Sequence, residues 1–297
     1  MESIRSIVLG VADAAEDPHL EHAAALAARL GATLHVVHSY HLPDPALYPY
    51  VEMSVFGPDA LKEIHRGVQQ LLEEQVRKLS TSGSVRCRAV PVPAAMAVLD
   101  TAREVEADLI MVGATRHGAV ARAILGTTAQ RVLRRARVPV LVSRAPLDGD
   151  RRVLLATDLS ALSAKVHERG VRLAALLTGD SAQIRTVFVV DYAVPLMGPL
   201  EPDVLMDAGR RELDAFLART DAQHPDGKVR VGDPTREIAA EADAWGADLL
   251  VLGTHGRTGA SRFLIGSVAE AVIRNAHCNT LVLPAAALLP EADASPL

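Results

Sequence analysis

Aromatic side chains are scarce, at 3% of 297 residues, so the interior must be filled mostly by Val, Leu, Ile and Ala. Cysteine is nearly absent. Cys87 and Cys278 lie in different halves with no CxxC spacing, which argues against both a disulfide framework and a thiolate metal site and fits a reducing compartment. There is no excess of positive charge: 31 Lys and Arg stand against 36 Asp and Glu, a formal charge of −5. A general binder of nucleic acid or acidic membrane needs a basic surface, so neither partner is expected. Long apolar runs are also missing. The N-terminal stretch Ile7-Val8-Leu9-Gly10-Val11 is too short for a secretory core or a membrane span, and the expectation is a cytoplasmic, unprocessed protein.

What is present is hydrophobic material, 49% of the chain, over a length above the roughly 100 to 200 residues of a typical domain. Two domains are therefore expected, and an internal repeat supports them. Ala107-Asp108-Leu109-Ile110-Met111-Val112-Gly113 returns 140 residues later as Ala247-Asp248-Leu249-Leu250-Val251-Leu252-Gly253, and the match runs ungapped to Leu141-Val142 and Leu281-Val282. The copies open alike too, Ile7–Val11 matching Val153–Thr157 at an offset of 146. Between them lies Arg144-Ala145-Pro146-Leu147-Asp148-Gly149-Asp150-Arg151, whose Pro, Gly and charges read as a linker, so the copies are taken as 1–147 and 148–297.

Within each copy, short apolar runs alternate with helical patterns. The runs are 4–11, 33–37, 85–90, 109–112 and 138–142, then 152–157, 184–190, 228–231, 249–252 and 280–283; helices are expected over 20–30, 60–79 and 210–219. Apolar runs without polar alternation are strands buried on both faces of a parallel sheet. Ligands of such sheets bind beyond the carboxyl ends of the strands, at a switch point, so residues after strands one and four of each copy matter most.

After the fourth strand of the second copy comes Gly253-Thr254-His255-Gly256-Arg257-Thr258-Gly259, leading to Gly266-Ser267 and a helical pattern through Arg274. Gly253 and Gly256 let the backbone approach a ligand, and a helix opening at Gly266-Ser267 offers free N–H groups and a positive dipole end to phosphate. The pattern Gly, two residues, Gly, nine residues, Gly, Ser resembles the ATP-binding signature of the universal stress protein family, and the tandem layout resembles its two-domain members.

That resemblance implies an α/β fold of two tandem domains, each an open parallel five-stranded sheet with helices on both faces, Rossmann-like and akin to the adenine nucleotide alpha hydrolases. It implies ATP as ligand, with any Mg2+ carried through the phosphates. The nucleotide contacts it assigns are Ala156, Thr157, Asp158, Val189, Leu252, Gly253, His255, Gly256, Arg257, Gly266, Ser267 and Val268, with Asp158 on the ribose or adenine side and Val189 near adenine. Asp158 also reads as a cap of the following helix, and Arg257 as facing either phosphate or solvent. The resemblance further implies that the last strands, 138–142 and 280–283, pair across a pseudo-twofold, and that chains associate as homodimers.

The first copy departs from the pattern. Its corresponding positions are Gly10, Val11, Asp13, Val36, Gly113, Arg116, Gly126 and Thr127, with Arg116 where the second copy has Gly256 and Ala12 where it has Asp158. A one-residue bulge would bring Asp13 to that place; the simple register leaves it without a carboxylate. Arg116 either obstructs the loop or grips a phosphate. A weak or empty first site is expected.

His35, His38 and His41, and the pair His19 and His22, are read as ordinary histidines, the latter two on a helix surface, and no metal site is expected. Arg131, Arg134, Arg135 and Arg137 are read as a solvated face. No GxxxxGK[ST] loop and no catalytic triad accompany the glycine loop, so nucleotide-dependent signalling is the leading expectation. A slow ATPase, an adenylyl-transferring enzyme and a nucleotide-free scaffold are the alternatives.

Overall fold

The computed structural model describes residues 3–42, 58–79, 83–114, 125–147, 151–179, 181–191, 201–220, 226–254 and 265–288. The chain forms two compact units. One, Ile4–Gly113, holds β1 (Ser6–Val11), α1 (His19–Leu30), β2 (Thr33–Ser39), α2 (Pro58–Arg77), β3 (Val85–Val90), α3 (Ala94–Glu104) and β4 (Leu109–Gly113). The other holds α4 (Thr127–Arg135), β5 (Val140–Ser143), β6 (Arg152–Thr157), α5 (Ala161–Thr178), β7 (Gln183–Val190), α6 (Pro202–Arg219), β8 (Gly227–Val231), α7 (Pro234–Trp245), β9 (Leu249–Gly253), α8 (Ser267–Asn275) and β10 (Asn279–Leu283).

In the first unit four strands run parallel in the order β3-β2-β1-β4. Ile7, Val8 and Leu9 are fully buried, as expected of a strand covered on both faces. Asp108 sets the start of β1: its Oδ2 accepts from the amides of Arg5 at 2.7 Å and Ser6 at 3.0 Å. The repeat copies this device, since Asp248 Oδ2 accepts from Arg152 N at 2.9 Å and Oδ1 from Arg151 Nη1 at 3.0 Å. The recurring Ala-Asp pair is therefore a strand clamp.

The second unit orders its strands β5-β10-β9-β6-β7-β8, parallel except where β5 meets β10. There the partners are Val142 with Thr280, Leu141 with Leu281 and Val140 with Val282. Leu141 and Leu281 are the same position of the two copies, so the ladder has a local twofold at its centre, as the resemblance implied. This pairing also explains why the compact units divide after Gly113, earlier than the sequence copies at 147. β5 begins only at Val140, after Pro139, which has no N–H to give a ladder.

A pH effect arises on β2. His35 pairs with Arg86 on β3, and burial first, then the charges of Arg86 and Arg88, holds its pKa below the ordinary value. The unfolded chain thus takes up this proton more readily. The stability involved is complete above about pH 6.5, the unfolded value, and is lost as pH falls from there through the lower folded value. His35→Gln is expected to reduce the drop in Tm between pH 7.5 and 5.5.

Candidate functional site

β6 leads outward through β7 to β8, whereas the chain returns to β9 and continues the other way to β10, so β6 and β9 flank a topological switch point. The ladder between them contains Val153 with Leu249, Leu154 with Leu250 and Leu155 with Val251, and ends there. On the outer sides the ladders continue to Thr157 with Phe188 and to Gly253 with Leu283. Ala156-Thr157 and Leu252-Gly253 therefore line a parting of the sheet. Thr157, Val189 and Leu252 are buried, and Ala156, Asp158 and Gly253 are half-buried.

At the end of β6 the backbone is held by short polar links. Asp158 Oδ1 accepts from Ser160 N at 3.1 Å and from the Ser163 hydroxyl, whose oxygen lies 3.3 Å from Asp158 N as acceptor. The helix cap itself belongs to Ser160, whose Oγ accepts from Ser163 N at 3.1 Å. Between them Leu159 has φ 64, a left-handed conformation that is uncommon without glycine. Its counterpart Asp13 is not among the positive-φ residues described.

The other wall is built on Thr254. Its N donates to Leu283 O at 3.1 Å, its Oγ1 accepts from Ala285 N at 3.2 Å, and its O accepts from Gly266 N at 2.7 Å. Both ends of the glycine loop are thereby tied together at the end of β9. A Cβ on Gly266 would stand 3.1 Å from Thr254 O, close enough that a side chain there requires a shift of a few tenths of an ångström. α8 follows with no side-chain cap, and Ser267 and Val268 are exposed. The first turn of a helix left in this way presents N–H groups suited to an anion. His255, Gly256 and Arg257 lie outside the described residues.

The first copy is built differently. Ala12 N is held by Asp17 Oδ2 at 2.8 Å, the counterpart of the tie from Asp158 N to Ser163, both spanning five residues. The simple register therefore holds, and the carboxylate has moved from the strand end to the helix side. Asp17 is only 8% exposed and also accepts from His19 N at 2.9 Å. Asp13 is exposed, its Oδ1 accepting from Ala15 N at 2.8 Å. The β1–β4 ladder runs one pair further than its counterpart, to Gly10 with Val112.

Two expectations need correction. His19 is half-buried rather than on the surface, and its ring lies so close to Gly113 that a Cβ there would overlap Cδ2 and Nε2. His22 beside it is half-buried as well. Val36 pairs with Leu9 and is buried, two residues short of the His38 that pairs with Val11, whereas Val189 lies one residue past the Phe188 that pairs with Thr157. The longer α5 shifts the offset here to 150, and the true counterpart of Val189 is Ser39. Arg131, Arg134, Arg135 and Arg137 are exposed, as read, and Arg134 is also ion-paired with Glu270 at 3.0 Å. Gly126 precedes α4 in extended conformation with Thr127 exposed, and Arg116 lies outside the described residues.

The universal stress protein family model matches residues 3–144 and 150–284. The chain belongs to the universal stress protein family. It is 29% identical over 268 residues to the universal stress protein Rv2005c of Mycobacterium tuberculosis, covering 84% of this chain and 85% of that one. A shorter relative from Methanocaldococcus jannaschii, universal stress protein MJ0531, is 32% identical over 142 residues, 45% of this chain and 81% of its own. Among solved structures, the protein PA1789 of Pseudomonas aeruginosa, described as functionally unknown, superposes with a TM-score of 0.65 at 21% identity, covering 96% and 94% of the two chains. This universal stress protein thus has the tandem α/β fold expected of it. No helix among the described residues is long and apolar enough to cross a membrane.

Proposed function

We propose that this universal stress protein binds one adenine nucleotide, ATP, where the β6–β9 ladder parts, and acts as a nucleotide-dependent stress-response or signalling protein in the cytoplasm. The parting is the observation that carries the reading. It opens at the switch point, with a carboxylate on one wall and a helix N-terminus on the other. Asp158 accepts from the sugar hydroxyls, Val189 and Leu252 supply apolar contact for adenine, and the amides of Ser267 and Val268 receive phosphate. His255, Gly256 and Arg257 complete the loop side. Magnesium enters on the phosphates.

The strained Leu159 beside Asp158 supports a built site, because left-handed non-glycine residues cluster where function requires them. The domain boundary at 147 and a homodimer of such chains belong to the same reading. For signalling, ATP must bind two states of the protein with different affinity.

The test is the nucleotide released when the purified protein is denatured, identified and counted by mass spectrometry. About one ATP per chain is expected if a nanomolar-to-micromolar site survives purification. No nucleotide, together with no thermal stabilisation by added ATP, removes the reading, since a ligand selective for the native state must stabilise it. Two per chain would remove the asymmetry between the copies.

A further inference from the structure

α8, whose first turn faces the phosphates in the reading above, is gripped at both ends by the first sequence copy. Arg134, in the last turn of α4, donates from Nη2 to Glu270 Oε2 at 3.0 Å, and Arg274 of α8 itself reaches Oε1 at 3.1 Å. Glu270 stands in the first turn of α8, one turn from Ser267. Left bare, its charge would repel an incoming phosphate; two guanidinium groups neutralise it.

The second grip is at the opposite end. Arg144, the residue after β5, donates from Nη2 to Ile273 O at 2.8 Å and from Nη1 to Cys278 O at 3.1 Å. Its backbone N and that of Ala145 donate to Asn279 Oδ1 at 2.7 and 3.2 Å. A cation is thus placed on carbonyls at the C-terminal end of the helix, where the dipole favours it.

The grip runs one way. At the offset of 140, Arg134 corresponds to Arg274, Glu270 to Gln130 and Arg144 to Pro284, so α4 offers Arg274 no carboxylate and the second copy has no arginine at the position of Arg144 to hold α4 in return. We infer that Arg144 and Arg134 are positioning residues for the phosphate end of the second copy's site. The copy with the altered loop thereby fixes and neutralises the anion-binding helix of the copy with the intact one. This inference rests on the nucleotide reading.

The test compares Arg144→Met and Arg134→Met with the parent full-length chain, by calorimetric titration with ATP, inorganic tripolyphosphate and adenosine, and by amide hydrogen exchange over 267–275. Arg144→Met is expected to weaken ATP and tripolyphosphate binding about tenfold, leave adenosine unchanged and speed exchange in α8. Arg134→Met should lose about threefold at low salt, a difference that shrinks as salt rises. Arg144→Lys, with one point charge for two carbonyls, should recover only part of the loss.

Folded variants that bind ATP and tripolyphosphate like the parent overturn the inference and leave the nucleotide reading standing. Equal losses for adenosine overturn it as well, because they indicate general loosening. A parent that binds neither ATP nor tripolyphosphate removes the nucleotide reading and the inference with it. If Arg144→Met does not fold, the salt dependence of Arg134→Met decides.

Discussion

Gly266→Trp is expected to empty the protein of nucleotide, raising the Kd for ATP by about 100-fold or more, about 2.7 kcal/mol. Gly266 has φ −62, so a side chain there is not opposed by backbone conformation. What opposes it is Thr254 O, 3.1 Å from where a Cβ would stand. With that carbonyl on one side, an indole has to lie over the opening of α8 and cover the Ser267 and Val268 amides. Gly266→Ala demands a shift of only a few tenths of an ångström and is expected to cost about threefold, below 1 kcal/mol. Neither change removes the backbone bond from Glu270 N to Gly266 O at 2.9 Å, so the Tm of the Trp variant should stay within a few degrees of the parent, where about 1 kcal/mol is worth 2–4 °C. ATP copurifying with a folded Gly266→Trp protein would show that phosphate does not sit at this helix.

Much of this architecture can be read from the sequence. The runs at 109–112 and 249–252 stand out because strands buried on both faces have no polar alternation, and both are found where expected. The glycine pattern ending at Gly266-Ser267 marks the start of α8, where Gly266 passes close to Thr254 O. Illegible features were those made by side chains meeting across space. The links from Ala12 to Asp17 and from Asp158 to Ser163 show only when the two copies are laid over each other at 146 and the polar residues are seen to exchange places. His19 sits at a helix start with an ordinary surface spacing, and nothing local says that Gly113 leaves room for its ring. Arg134 and Arg144 acquire partners only when β5 and β10 pair.

Asp158→Ala is expected to weaken ATP binding by about 10- to 100-fold, because a hydrogen bond to a charged group contributes about 1.5–3 kcal/mol. The same carboxylate also holds Ser160 N and the Ser163 hydroxyl, so loss of affinity in the Ala variant has two sources. Asp158→Asn separates them. Its remaining side-chain oxygen can accept both bonds, keeping Tm near the parent, while the charge offered to the sugar hydroxyls is gone. Ser163→Ala does the converse, cutting the tie to Asp158 N and leaving the carboxylate. If Asp158 binds ligand, isothermal titration of the Asn variant should show most of the Ala loss, and Ser163→Ala should show little. An Asn variant that binds ATP like the parent would reduce Asp158 to a fastening of the β6–α5 corner. Ala12→Asp completes the comparison. Restoring a carboxylate to the first copy should not raise the stoichiometry above one ATP per chain, because the half-buried His19 ring still lies against Gly113 and a charge added at the end of β1 does not clear it.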